Sequence, residues 1–278
     1  MNYYKEIKNE LINNEITKKV KDYSKNKSDL TTYYNVGKLL SEAGKHYGEG
    51  VIKEYSKKLT KEIGKGYTES ALKRMRKFYW LIEKGAPMAH QLTWSHYIEL
   101  LPIKDFNAIK HYINMCIVQN LSKRDLRTRI KNKEYERLDN ITKEKLISQK
   151  GTTLVDLIKN PIVIKKNTNK EIISEEALQK VILEDLPSFL DELGEGFTFV
   201  KNEYKIKIGN NYNYIDLLLY NIKFNCYIVI ELKVTELKKE HIGQIEIYMN
   251  YIDKNLKTVT QDKTIGIIIC KKDNKFIM

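Results

Sequence analysis

Three ionisable residues interrupt two strongly apolar runs in the last quarter of the chain. Asp216 lies inside YIDLLLY, and Glu231 and Lys233 close the run CYIVIELKV. Alternate residues on a β-strand point to the same face, so Glu231 and Lys233 share one. A charge on a buried strand is costly unless it is paired or bound to a metal ion. The acid and base of Glu231-Leu232-Lys233 could simply form a salt bridge. Asp216 changes the chemistry. If the two runs pair as a hairpin about Asn221–Asn225, counting across the turn brings Asp216 close to Glu231. Two adjacent carboxylates repel, and a divalent cation relieves that repulsion.

The elements that must hold these residues can be read from hydrophobic spacing. Before the runs, Glu175–Leu193 reads as one helix with Leu178, Ile182, Leu186 and Leu190 in a stripe, ending at Gly194. Tyr204, Ile206 and Ile208 alternate with Lys205 and Lys207, a strand with one wet face, and Gly209-Asn210-Asn211 is a turn. Tyr212–Tyr220 is the second strand. Cys226–Val234 is the third, and is apolar enough to be central in a sheet. Glu240–Ile252 is a helix with Ile242, Ile245, Met249 and Ile252 on one face, and Thr264–Cys270 is a last buried strand. The order αβββαβ predicts an α/β domain on a small mixed sheet over 174–278. Residues 1–138 read as helices throughout, and 139–173, with Gly151, Pro161 and the polar run Lys165–Lys170, as a linker. The expected fold class is therefore two-domain α+β, with a helical first domain.

In the helical part, Tyr4, Ile7, Leu11 and Ile12 have helical spacing, as do Tyr34, Leu39 and Leu40, and Val51, Tyr55, Leu59 and Ile63. Thr68 is a plausible N-cap for a helix over Glu69–Glu83, and Ser122 for one running to about Tyr135. The helix before Gly64-Lys65-Gly66 and the one after it allow helix-turn-helix geometry. Trp94, His96 and Tyr97 are read as core between helices, and His46, His90 and His111 as isolated.

Composition bounds the rest. The 278 residues carry a net charge of +13 and are 42% hydrophobic and 31% charged, which suits folded domains rather than a disordered chain. No apolar run reaches the roughly 18–20 residues of a membrane span, and the N-terminus MNYYKEIKNELINNE has no signal-type apolar region. Cys116, Cys226 and Cys270 are dispersed and form no metal-type cluster, so a reducing, cytoplasmic setting is expected. The charge is uneven: residues 1–170 carry +16 and residues 171–278 carry −3. Two runs hold most of the arginines. Lys73, Arg74, Arg76 and Lys77 form one, with Lys73, Arg76 and Lys77 on one helix side. Lys123, Arg124, Arg127, Arg129 and Lys131 form the other. Lys73, Arg74, Arg76, Lys77, Lys123, Arg124 and Arg127 are read as phosphate contacts that position a nucleic acid, against the plainer reading of solvated helix faces.

The ordered set resembles a known family. Asp216 followed by Glu231-Leu232-Lys233 resembles the PD-(D/E)XK nuclease superfamily. FVKNEYKIKIGNNYNYIDLLLYNIKFNCYIVIELK with HIGQIEIYMNYID resembles its YhcG-like nucleases. YNVGKLL, KRMRKFY, LTWSHY and LSKRDL resemble the helical N-terminal domain of that family. The resemblance implies a phosphodiesterase using Mg²⁺ or Mn²⁺, with Asp216 and Glu231 as metal ligands, Lys233 orienting water or offsetting developing charge, and Gln244 in support. It implies a nucleic-acid partner, double-stranded or branched DNA, and a possible homodimer. Two departures stand out. Gln179 occupies the position where relatives carry a helix glutamate, with Glu175, Glu176 and Glu184 nearby. The chain also stops at Met278, where relatives continue. A catalytically inactive nucleic-acid-binding module on the same fold, and a protein-interaction scaffold with an incidental salt bridge, are the alternatives.

Overall fold

The computed structural model describes residues 2–19, 25–48, 50–89, 91–148, 150–151, 153–154, 156, 158–164, 174–272 and 275–278. His90 and the run Lys165–Lys170 lie outside them. The chain divides into two compact units, Met1–Tyr135 and Glu136–Met278.

The first unit is helical: α1 (Tyr3–Lys19), α2 (Lys25–Tyr47), α3 (Val51–Glu62), α4 (Glu69–Glu83), α5 (Trp94–Leu100), α6 (Phe106–Gln119) and α7 (Lys123–Lys131). Apolar stripes one turn apart supply its core. Ile7 and Leu11 of α1, Val36 and Leu40 of α2, Leu59 of α3 and Leu72 and Phe78 of α4 are all buried. The most extensive helix packing is between α2 and α4, not between the α3–α4 pair that the sequence suggested as a helix-turn-helix. Gly37 permits this approach, because a Cβ there would collide with the Met75 carbonyl oxygen and sit 2.8 Å from Tyr79 Cβ. Thr68 caps α4 by accepting from the Ala71 amide at 3.3 Å. Ser122 and Asp125 form a reciprocal capping box on α7, which ends at Lys131, four residues short of the expected end. His96 and Tyr97 are buried in the core, and half-buried Trp94 packs beside them. Phe78 lies 5.4 Å from Trp94 and 4.8 Å from Tyr97, and His96 ties Thr93 to the Leu121 carbonyl.

The second unit begins with α8 (Asn140–Ile147), followed by α9 (Glu175–Glu184), α10 (Leu186–Leu193), β1 (Phe197–Ile208), β2 (Asn211–Asn221), β3 (Cys226–Leu232), α11 (Lys239–Asn255), β4 (Ile265–Lys272) and β5 (Lys275–Ile277). The helix expected over 175–193 is broken in two. Asp185 leaves helical geometry, caps α10 through the Ser188 amide, and is followed by Pro187, which suits the first turn of a helix and not its interior. The strands form one sheet in the order β1-β2-β3-β4-β5, antiparallel except where β3 and β4 run parallel across the α11 crossover. β1 starts seven residues earlier than Tyr204, and β5 is additional to the expected strands.

β3 is central, and its alternation sorts two cores. Cys226, Ile228, Ile230 and Leu232 join Leu178, Ile182, Phe189 and Leu193 of α9 and α10. Val229 joins Ile245, Tyr248 and Ile252 of α11 with Ile206, Ile215 and Leu218. Part of the stretch read as a linker is structured within this unit: α8 lies in it, and Leu154 and Ile162 are buried in the α9–α10 core. Arg137, Lys159 and the Val163 amide converge on buried Glu192.

Candidate active site

The β2–β3 ladder pairs Leu217 with Ile230 and ends there, and one further step in this register sets Asp216 opposite Glu231. The next amide of β3 does not return to a β2 carbonyl. Leu232 N–H donates to Asp216 Oδ2 at 2.7 Å, so the carboxylate takes the place of the ladder where the strands part. The Asp216 carbonyl oxygen receives the side-chain amide of Gln179 at 3.0 Å. The position read as a family glutamate therefore fixes the backbone of Asp216 and contributes no charge.

Glu231 is 3% exposed and Lys233 8%. Both lie on the odd-numbered side of β3, with Val229 and the α11 core. Lys233 Nζ donates to Glu231 Oε1 at 2.8 Å and to Glu175 Oε2 at 3.2 Å. Glu175 opens α9, where Ser174 caps the helix and an acid in the first turn suits the helix dipole. It is the half-exposed member of the group. Glu231 Oε2 is buried and has no hydrogen-bond partner among the described residues. On α11, Gln244 Nε2 donates to Tyr248 Oη at 2.8 Å. Tyr248 is buried and sits within the field of Glu231, Asp216 and Lys233. His241 is buried and caps α11 by accepting the Lys238 amide at 3.2 Å.

The electrostatics follow from this crowding. Burial first, and then the Asp216 charge, push the Glu231 carboxyl up to about 7, against the pull of Lys233. Burial raises Asp216 as well, and the Leu232 amide and Lys233 only partly offset it, while Glu175 and Glu203 add to it. Desolvation works against the Lys233 ammonium, but its bonds to Glu231 and Glu175 outweigh that and hold it above the ordinary lysine range. Two opposed carboxyls raised out of their usual range, one with an orphaned buried oxygen, form a donor set suited to a hard cation. Such a cation takes one or two carboxylates and fills its other positions with water and phosphate. Among the described residues no three His, Cys, Asp or Glu side chains gather as a ligand group. The fit therefore rests on this pair.

The basic residues of the first unit are distributed differently. Lys73, Arg74 and Lys77 are exposed on α4, and Lys73 is paired with Glu69 at 2.6 Å. Arg76 does not share their side, because it is buried with its guanidinium 4.8 Å over the Trp80 ring. On α7, Arg124 is exposed, whereas Arg127 forks onto Glu99 at 2.7 and 3.0 Å and Lys123 lies 3.6 Å from the same carboxylate. Two basic residues outside those sequence runs, Lys84 and Lys104, join Lys77, Trp80 and Phe106 around a cleft of about 180 Å³. Their separation in sequence hid the grouping.

Both halves of the chain match known family models. Residues 155–278 match the model of the YhcG PDDEXK nuclease domain, and residues 7–137 match the DUF1016 N-terminal domain. The chain is 25% identical over 283 aligned positions to the protein named "Putative nuclease YhcG" of Escherichia coli (strain K12), covering 86% of this chain and 76% of that one. No solved structure matches it.

Proposed function

We propose, for a chain that belongs to the YhcG-like family of PD-(D/E)XK nucleases, that it is a divalent-metal-dependent endonuclease acting on DNA, with the helical unit gripping the substrate. The observation that carries this reading is the opposed pair Asp216–Glu231, with the orphaned Glu231 oxygen and Lys233 alongside. Asp216 and Glu231 would hold Mg²⁺ or Mn²⁺, which when bound supplies a Lewis acid and an activated water. Lys233, already charged by its two carboxylate partners, would balance negative charge developing on the attacked phosphate. Glu175 holds that ammonium from the solvent side, and Gln179 holds the Asp216 backbone. Gln244 and Tyr248 would border the phosphate position from α11. In the helical unit, exposed Arg74 and Lys77 are the best-placed phosphate contacts. Lys73, Lys123, Arg124 and Arg127 would assist, and buried Arg76 would act through Trp80.

The test is cleavage of plasmid and branched DNA with Mg²⁺ or Mn²⁺. Glu231→Ala and Lys233→Ala should each lose at least about a hundredfold, in line with the removal of one charge-stabilising donor elsewhere. Equal activity in all three proteins would sink the assignment. A second reading, a binding module without hydrolysis, draws on Gln179, whose side chain is spent on the Asp216 carbonyl. Calorimetry separates the two, since only a working site should show Mn²⁺ binding that depends on Asp216.

A further inference from the structure

The β1–β2 pairing runs from Phe197–Asn221 out to Ile208–Asn211, whereas β2 pairs with β3 only from Leu217 to Asn221. Residues 202–216 therefore form a two-stranded ribbon beyond the β2–β3 ladder, closed by a two-residue turn in which Gly209 has φ +60°. The ribbon has two unlike faces. Ile206 and Ile215 are buried with Ile245, Tyr248 and Ile252 of α11. The opposite face follows from the register: Lys205 pairs with Tyr214 and Lys207 with Tyr212. Directly opposed residues share a face, and so do residues two apart. The four side chains thus make a two-by-two grid of lysine and tyrosine. Tyr212 and Tyr214 are 57% and 52% exposed. The lysine ammoniums rest over the Tyr212 ring, at 3.8 Å for Lys205 and 6.0 Å for Lys207. Between the flanking acids Glu203 and Asp216 the ribbon holds two lysines and no acid, within a half of the chain that is otherwise net negative.

We propose that this grid is a binding surface for single-stranded nucleic acid, with unpaired bases stacking on Tyr212 and Tyr214 and phosphates meeting Lys205 and Lys207. Exposed aromatic rings interleaved with cations suit an unpaired strand, because every base has a face to stack and every nucleotide a phosphate. A fully paired duplex hides its base faces and would use only the lysines. The grid is near the candidate site along the chain: at about 3.3 Å per strand residue, Tyr214 and Tyr212 lie roughly 7 and 13 Å along β2 from Asp216. The proposal rests on the nuclease reading and narrows its substrate to DNA with an unpaired segment beside the cut.

The experiment uses the full chain in chelator, so that no cleavage intervenes. Binding of a short fluorescent oligothymidylate and of a blunt duplex of equal length is followed by anisotropy across a salt series. Tyr212→Ala/Tyr214→Ala should weaken oligothymidylate binding roughly tenfold or more and leave duplex binding nearly unchanged. Tyr212→Phe/Tyr214→Phe, which keeps the rings, should bind as wild type. Lys205→Ala/Lys207→Ala should flatten the salt slope by about 1.4, at roughly 0.7 per single-strand contact. Wild-type oligothymidylate affinity in the double alanine variant, equal losses on both probes, or failure of wild type to bind the oligothymidylate would overturn the inference. If metal-dependent cleavage that requires Glu231 persists in any of those cases, the nuclease reading survives. If the tyrosine variants lose binding while Glu231→Gln cleaves like wild type, the hydrolytic assignment falls and the surface stands.

Discussion

Glu231 carries two opposed demands. It is nearly inaccessible, it faces Asp216, and one of its oxygens has no partner, so its charged form is poorly held in the metal-free protein. The sign of the resulting pH dependence is fixed. A carboxyl raised from 4.5 to about 7 on folding binds its proton more tightly in the native state. Its contribution is therefore full below pH 4.5 and is lost as pH rises to about 7, by about 3 kcal/mol in all. Denaturant unfolding in chelator should show this decline for wild type and not for Glu231→Gln. Added Mn²⁺ should restore stability at neutral pH to wild type alone. Glu175 makes a gentler prediction. Because it only holds Lys233 from the solvent side, Glu175→Gln should cut kcat by less than Lys233→Ala does and should shift the basic limb of the pH–rate profile downward, as the ammonium loses one of its two carboxylates. An unchanged basic limb would remove Glu175 from the site.

At the scale of elements, the group gathers where the β2–β3 ladder ends and the start of α9 approaches it. α9 brings Glu175 and Gln179, β2 brings Asp216, β3 brings Glu231, and Lys233 follows directly after β3. The strands part just where the charges begin, because Asp216 takes the amide that would otherwise continue the ladder. Gln179→Ala should leave the fold intact and lower activity by loosening the Asp216 backbone, while Gln179→Glu should place a third acid beside the pair. In the helical unit, Gly37 marks the closest approach of α2 to α4. Gly37→Ala should destabilise that unit by about 1–3 kcal/mol, the usual cost of forcing a methyl into packed helices, read as a lower chemical-denaturation midpoint.

At the scale of the whole chain, the charge is divided as the chemistry would need it, +16 over residues 1–170 and −3 beyond. Counterion release makes that testable. Arg74→Ala/Lys77→Ala should weaken duplex binding at every sequence and reduce the slope of log K against log salt by about two, at roughly 0.9 per duplex contact. Arg127→Ala should do less, because its guanidinium is already committed to Glu99, whose carboxyl it holds below the usual range. An equal loss in both variants would mean that the Arg127–Glu99 fork opens on binding.

Local patterns settled much of this architecture. The period-two alternation and the Gly209 and Asn225 turns specify β2 and β3, and opposition of Asp216 to Glu231 follows from counting across a short hairpin, since register in a hairpin is set by its turn. The cap residues Thr68 and Ser122 place the starts of α4 and α7 for the same local reason. What sequence could not supply were contacts between residues far apart in the chain. Arg76 on the apolar side of α4, Glu175 at the Lys233 ammonium, and Lys104 beside Lys77 depend on how elements dock. The break at Asp185 and the extension of β1 back to Phe197 were likewise decided by packing on the sheet. The lysine–tyrosine grid combines both levels. Alternation along each strand is written in the residues, but which face of the ribbon stays wet is chosen only when the other is buried against α11, because burying apolar area outweighs any local preference.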